Sequence, residues 1–182
     1  MVTTLCRMSS SGQSVRLFFG IWPGYTASAQ LAELQGRWDW PPDASVYSPA
    51  KLHMTLHFLG NLPVDLVPRL GVAAHSIRFR PFDLELVKAG TWREANVAWV
   101  SPAPSEPLMA LHDELGRALE RIDVQIESRC YAPHLTLARK AGHATPPAEF
   151  EPIPWRVTNF VLARSVPGGQ PAYQPLMVFP AR

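Results

Sequence analysis

Only two cysteines, Cys6 and Cys130, occur in the 182 residues. They are too few and too far apart for a disulfide framework or a CxxC metal pair, and both read as free thiols of a reducing compartment. No apolar run approaches the roughly 18 residues of a membrane-spanning helix. The opening MVTTLCRMSSSGQS lacks the apolar stretch that a secretion signal needs. Charge is also sparse, at 18% of the chain with a formal net charge of +2. That balance argues against a protein gripping a long run of nucleic-acid phosphates, whereas one or two phosphates in a local site are compatible with it. GxGxxG and GxxxxGK are missing too, which removes the usual nucleotide-cofactor readings. A cytoplasmic protein with no membrane association is expected.

What is present can build a core. Hydrophobic residues make up 47% of the chain, and the 19 prolines and 11 glycines follow no fibrous period. Residues 1–14 read as a disordered N-terminal extension, with Met8 an alternative start, and residues 15–182 as a single domain. VRLFFGIW (Val15 to Trp22) is β-branched, aromatic and nearly uncharged, as a buried strand should be, and Pro23 and Gly24 stop it. Tyr25 to Trp38 places Leu31, Leu34 and Trp38 at helical spacing. A proline-punctuated loop leads into the strand KLHMTLHFLG, and Val64 to His75 follows as a helix. Strands are expected at Phe82 to Lys88 and Asn96 to Val100, with a turn near Gly90. Leu108 to Ile122 is the strongest helix, its stripe formed by Leu108, Leu111, Leu115, Leu119 and Ile122. YAPHLTLARK, Trp155 to Arg164 and Tyr173 to Phe179 complete the expected strands. Their connections are too short for parallel crossovers, so the expected fold is α+β with mainly antiparallel sheets flanked by helices.

One pattern repeats. His53-Met54-Thr55-Leu56 recurs as His134-Leu135-Thr136-Leu137, 81 residues further on, each copy in a strand behind a proline-bearing loop. Recurrence in the same setting points to a duplication, and so to a bilobal molecule with two lobes related by a pseudo-twofold axis. Side chains alternate faces along a strand. His53 and Thr55 therefore share one face, with Met54, Leu56 and Phe58 on the other, and His134 and Thr136 oppose Leu135 and Leu137. The apolar residues anchor each strand, and the four polar ones converge on a central cleft.

A lone strand histidine is commonly structural or merely exposed; the matched pair is what points to catalysis. Two imidazoles across a phosphate form an acid–base pair, one taking a proton from the nucleophile and one protonating the leaving oxygen. Imidazole titrates near 6.5, so both forms are at hand at neutral pH. The threonine hydroxyls can donate to non-bridging phosphoryl oxygens. No metal is needed: His53, His57 and His134 could be grouped as ligands, but no carboxylate or cysteine clusters with them. His57, whose counterpart is Ala138, reads as a cleft-wall or surface residue, and His75, His112 and His143 read as structural.

The two HxT motifs, the trailing HFLG and LAR, the opening RLFFGIW and the terminal VFP resemble the two-histidine (2H) phosphoesterase superfamily. Within it they resemble the bacterial RNA 2′,3′-cyclic phosphodiesterase branch, also described as 2′–5′ RNA ligase. The resemblance spans about Arg16 to Phe179. It implies a bilobal α+β fold around a pseudo-dyad cleft, and opening of RNA 2′,3′-cyclic phosphate ends to 2′-phosphomonoesters without metal or cofactor. It also implies that His53 is the proton donor to the 3′ oxygen and His134 the proton acceptor from water. The residues alone do not separate that polarity from its reverse.

The resemblance further implies that Arg139, just beyond the second HxTL, reaches the substrate, although alternation puts it on the face away from His134. Phe58 holds the matching place in the first motif. As a core residue it would be ordinary; a bulge or strong twist would bring it to the cleft edge, to stack on a nucleobase. Arg16, Lys51 and Lys140 would form a mildly positive rim. The implied partner of a monomeric enzyme is RNA or a nucleotide with a 2′,3′-cyclic phosphate end, tRNA fragments among the candidates. Ligation of RNA ends, or action on another cyclic phosphate, would use the same residues. A non-catalytic RNA-end-binding protein is the alternative of another class.

Overall fold

The computed structural model describes residues 13–182, and the expected extension lies outside the described residues except at its last two positions. The chain runs β1 (Ser14–Ile21), α1 (Tyr25–Gln35), β2 (Ser45–Val46), a 3-10 turn (Pro49–Lys51), β3 (Met54–Pro63), a second 3-10 turn (Val64–Leu66) and α2 (Val67–His75). It continues with β4 (Phe82–Trp92), β5 (Val97–Pro102), α3 (Glu106–Glu120), β6 (Leu135–Arg139), β7 (Ile153–Val157), β8 (Asn159–Ser165) and β9 (Tyr173–Pro180). No helix among the described residues is long and apolar enough to cross a membrane.

The strands form one antiparallel sheet in the order β7-β4-β5-β6-β3-β1-β8-β9, with β2 also paired to β6. β7 and β8 are separated by Thr158 alone, yet they stand six places apart in that order. In a flat sheet six strand spacings would be roughly 29 Å, whereas two Cα steps reach at most about 7.6 Å. The sheet must therefore curl. A single strand expected over Trp155 to Arg164 is thus two strands, parted at Thr158 and paired with different partners: β7 with β4, and β8 with β1 and β9.

The middle of the sheet is its narrowest joint. β3 meets β6 through one residue pair, Met54 with Leu135, whereas the β1–β3 ladder runs from Ser14–Pro63 to Ile21–Met54. On one side of the joint, α2 and α3 pack on each other and reach β9 and β3, while α1 packs against β7 on the other. The chain crosses this joint more than once, since β8 and β9 return to the side of β1 and β3. Both sides contribute to one continuous core that includes Leu17, Phe19, Leu31, Met54, Leu86, Leu115, Leu135 and Phe160.

Local sequence explains the start of α3. The Ser105 side chain caps α3 by accepting from the Leu108 amide at 3.4 Å, with Pro107 in the first turn, where a missing N–H costs nothing. Leu108, Leu111, Leu115 and Leu119 are buried on its inner stripe. The turn expected near Gly90 does not fall at the glycine itself. Gly90 lies within β4 opposite Trp99, and a Cβ there would stand 2.8 Å from the Trp99 ring, so the glycine makes room for the indole. The turn falls at residues 93–96, where Asn96 takes the left-handed backbone (φ 54°) that asparagine tolerates.

Candidate active site

His53 and His134 each stand one residue ahead of a strand and are held by the same device. His53 Nδ1 lies 2.8 Å from the Lys51 carbonyl, and His134 Nδ1 lies 2.8 Å from the Ala132 carbonyl. A carbonyl oxygen only accepts, so each Nδ1 carries a proton and donates it. In the neutral ring this leaves Nε2 as a lone-pair acceptor. The proline that precedes each motif serves this arrangement: Pro49 opens the 3-10 turn ending at Lys51, and Pro133 follows Ala132 directly.

The single Met54–Leu135 pair fixes how the motifs face each other. In antiparallel register His53 comes beside Thr136, and Thr55 beside His134. Met54 and Leu135 are fully buried, while both histidines and both threonines are half-buried.

The environments of the histidines differ. His53 sits among Trp22, stacked at 5.1 Å, Phe18 at 4.9 Å and Tyr173, edge-on at 4.6 Å. Burial among these rings pushes its pKa down to about 4, against the opposing pull of the Lys51 carbonyl, and charge on His134 would lower it further. His134 packs edge-on against Trp92 at 4.5 Å. Its pKa is lowered by burial, with the Ala132 carbonyl opposing and the Arg129 charge reinforcing the shift. At neutral pH both rings of the unliganded protein are therefore neutral.

Strict alternation fails just beyond each HxT, and it fails identically in both strands. The β1–β3 ladder steps from Phe19–His57 to Gly20–Thr55, leaving Leu56 as an extra residue. The β5–β6 ladder steps from Ala98–Ala138 to Trp99–Thr136, leaving Leu137 extra. A bulge re-aims the side chains beyond it. Consequently Phe58 and Arg139, which alternation sends to the core face, are exposed, while His57 and Ala138 are buried. Phe58 is not a core residue: it is 36% exposed, with the Arg16 guanidinium 4.8 Å above its ring.

A cavity of about 880 Å³ is lined by His53, Thr55, Phe58, His134, Thr136 and Arg139 together. Of the expected basic rim, Arg16 lines it; Lys51 and Lys140 do not, and Lys51 lies over the Tyr47 ring at 5.6 Å instead. Tyr47, Tyr173, Trp92, Arg93 and Arg129 also line the cavity, and sequence reasoning missed them. Arg139 Nε donates to the Tyr47 hydroxyl at 2.8 Å. Tyr173 lies beside Tyr47, and its own pKa is pushed up to about 12, chiefly by burial. Among the described residues no group of three or more His, Cys, Asp or Glu is arranged to hold a metal ion.

Of the two places expected for His57, cleft wall or surface, the structure takes the first, since His57 lines the cavity. It is 5% exposed, and Nε2 donates to the His112 carbonyl at 2.8 Å. Its ring stacks on His112 at 4.1 Å, and His112 stacks on Tyr131 at 4.0 Å. The Tyr131 hydroxyl donates to the Thr55 carbonyl at 3.0 Å, tying the approach to the second motif onto the first.

Two neutral imidazoles with free Nε2 atoms, set about a polar cavity with hydroxyl and guanidinium donors, are the equipment of acid–base phosphoester chemistry. Comparison with known proteins agrees: the chain belongs to the 2′-5′ RNA ligase superfamily, whose profile it matches over residues 23–168. Within this two-histidine phosphoesterase group it falls in the bacterial RNA 2′,3′-cyclic phosphodiesterase branch. It is 34% identical over 169 residues to the RNA 2′,3′-cyclic phosphodiesterase of Escherichia coli (strain K12), covering 88% of this chain and 93% of that protein. The protein of the same name from Thermus thermophilus is 30% identical over 167 residues, 83% of this chain and 82% of that one. The crystal structure of E. coli LigT complexed with 3′-AMP superposes with a TM-score of 0.82 at 28% identity, covering 93% of this chain and 99% of that one. The NADP+ complex of LigT gives 0.81 at 29% identity, covering 93% and 98%.

Proposed function

We propose that the protein hydrolyses 2′,3′-cyclic phosphate ends of RNA to 2′-phosphomonoesters, using His53 and His134 as a general acid–base pair and no metal. The observation that carries this reading is the matched pair of Nδ1 hydrogen bonds, which leaves both Nε2 atoms free for proton transfer. His134 Nε2 takes a proton from water as the water oxygen bonds to phosphorus. The bond from phosphorus to the 3′ oxygen breaks, and protonated His53 delivers its Nε2 proton to that oxygen. Exchange with solvent then restores the starting protonation. Thr55 and Thr136 donate to the non-bridging oxygens, Arg139 offsets their charge, and Phe58 offers its exposed ring to a nucleobase. We read residues 15–182 as one bilobal domain, active as a monomer, with this site in the cleft about the Met54–Leu135 joint.

One observation favours the reverse polarity. His53 carries the large pKa depression, so a single proton shared by the pair in the free protein rests on His134. That is the state from which hydrolysis with His53 as base and His134 as acid would start. A bound phosphate anion favours imidazolium on either ring and allows hydrolysis to proceed with His53 as acid.

The test is product analysis with an oligonucleotide ending in a 2′,3′-cyclic phosphate, in chelator. A 2′-phosphate product is expected. No turnover without a divalent ion, or a 3′-phosphate product, would overturn the reading.

A further inference from the structure

We propose that Gln35 is a positioning residue for Arg139: it holds the bulge that turns the arginine into the cavity. Gln35 is the last residue of α1 and only 6% exposed, one of two buried polar side chains among the described residues. Its amide nitrogen donates to the Leu137 carbonyl at 3.1 Å and to the Tyr47 carbonyl at 2.9 Å. Leu137 is the extra residue of the second bulge.

The reason an amide is needed there lies in the sheet. On the edge opposite β5, β6 changes partner: Arg139 and Ala138 pair with β2, whereas Leu135 pairs with β3. Leu137 falls in the gap between those ladders. Its carbonyl receives the Tyr47 amide at 2.8 Å and the Gln35 amide, while the Tyr47 carbonyl receives the second Gln35 proton. Without Gln35 the Leu137 carbonyl would keep only the Tyr47 amide and the half-buried Tyr47 carbonyl would lose its Gln35 donor, which would free the strand to move toward regular pairing. Regular pairing would return Arg139 to the core face.

Gln35 also fixes both ends of the contact that aims Arg139. It holds the backbone of Tyr47, whose hydroxyl accepts from Arg139 Nε, and the backbone two residues before Arg139 itself. No cavity-lining role belongs to Gln35, so its effect on turnover runs through the arginine. The proposal rests on reading Arg139 as a substrate contact.

A double-mutant cycle of Gln35→Met and Arg139→Ala tests it, with kcat/KM measured on a cyclic-phosphate oligonucleotide and hydrogen exchange read at the Tyr47 amide. Q35M keeps the shape of the side chain and loses both donors. It should lower kcat/KM by about ten- to a hundred-fold, the cost of misplacing a positioned group, and speed exchange at Tyr47. In the R139A background it should add less than about twofold, because the two changes remove one interaction. If Q35M does not fold, Gln35→Asn, one methylene too short to reach both carbonyls, takes its place in the same cycle. An undiminished Q35M loss in the R139A background would overturn the proposal, as would wild-type activity with protected Tyr47. An R139A protein as active as wild type would instead sink the reading of Arg139. Tyr47 exchange would then still report whether Gln35 holds the bulge, and any Q35M loss would count against its acting through the arginine.

Discussion

Met54 and Leu135 form the single backbone pair through which β3 joins β6, and the residues flanking that pair are the two histidines and two threonines of the site. An antiparallel pair has local twofold symmetry. The symmetry here extends into the side chains, because each histidine donates Nδ1–H to the carbonyl two residues before it. The rest of the cavity breaks that symmetry, with an aromatic box around His53 and Trp92 and Arg129 beside His134.

His53→Ala and His134→Ala should each lower kcat by roughly 10²–10⁴-fold, the usual loss for a positioned proton-transfer group. Neither substitution removes a fully buried side chain, so circular dichroism should report folded protein in both. Near-wild-type turnover in either folded variant removes that histidine from the mechanism.

The pH profile reflects burial. Both imidazoles titrate below 6.5, His53 near 4, so kcat/KM, which reports the free protein, should be bell-shaped with its maximum on the acid side of pH 6.5. The two apparent constants belong to the pair. A bound phosphate anion favours the imidazolium form, so the kcat profile should peak at higher pH than that of kcat/KM. A kcat/KM maximum above 6.5 would contradict the burial argument.

Stability carries the same signature. The folded pKa of His53, about 4, lies below its unfolded value of 6.5, so the unfolded chain takes up the proton first. The stability linked to the neutral ring is complete above 6.5 and is lost as pH falls through about 4. His53→Asn keeps a donor for the Lys51 carbonyl and cannot titrate. Relative to wild type it should gain on the order of 1–3 kcal/mol between pH 7 and pH 4 in urea denaturation. A difference that stays constant over this range would show that His53 is not buried as a neutral ring.

Acid and base are separable with a 3′-thio substrate, whose leaving sulfur needs little protonation. It should rescue His53→Ala and leave His134→Ala slow. Rescue of the His134 variant alone would reverse the polarity, as the pKa order of the free protein would favour.

Much of the site was legible in the sequence because HxTL writes its own local geometry. A proline-bearing approach and period-two alternation suffice to place His53, Thr55, His134 and Thr136 on one face. Phe58 and Arg139 were not legible by alternation. Their exposure depends on bulges at Leu56 and Leu137, and the second of these is held by Gln35 from a helix about a hundred residues away in sequence. Only the family resemblance pointed to Arg139. Gly90 misled for a related reason: the glycine serves a close approach by Trp99, a cross-strand fact that resembles a turn signal when read locally. Thr158 shows no break in composition, yet it parts two strands that pair on opposite sides of the joint. Such long-range choices are made by the curl of the sheet, which no local pattern encodes.

The most direct test of the paired-histidine account is ¹⁵N NMR of the two imidazoles, free and titrated with a nucleoside 2′-monophosphate in chelator. The account predicts that both rings of the free protein near neutral pH are Nδ1–H tautomers with unprotonated Nε2, and that the Nε2 signals of both His53 and His134 move on binding. An Nε2–H tautomer at either histidine in the free protein, or a response from only one ring, would contradict it.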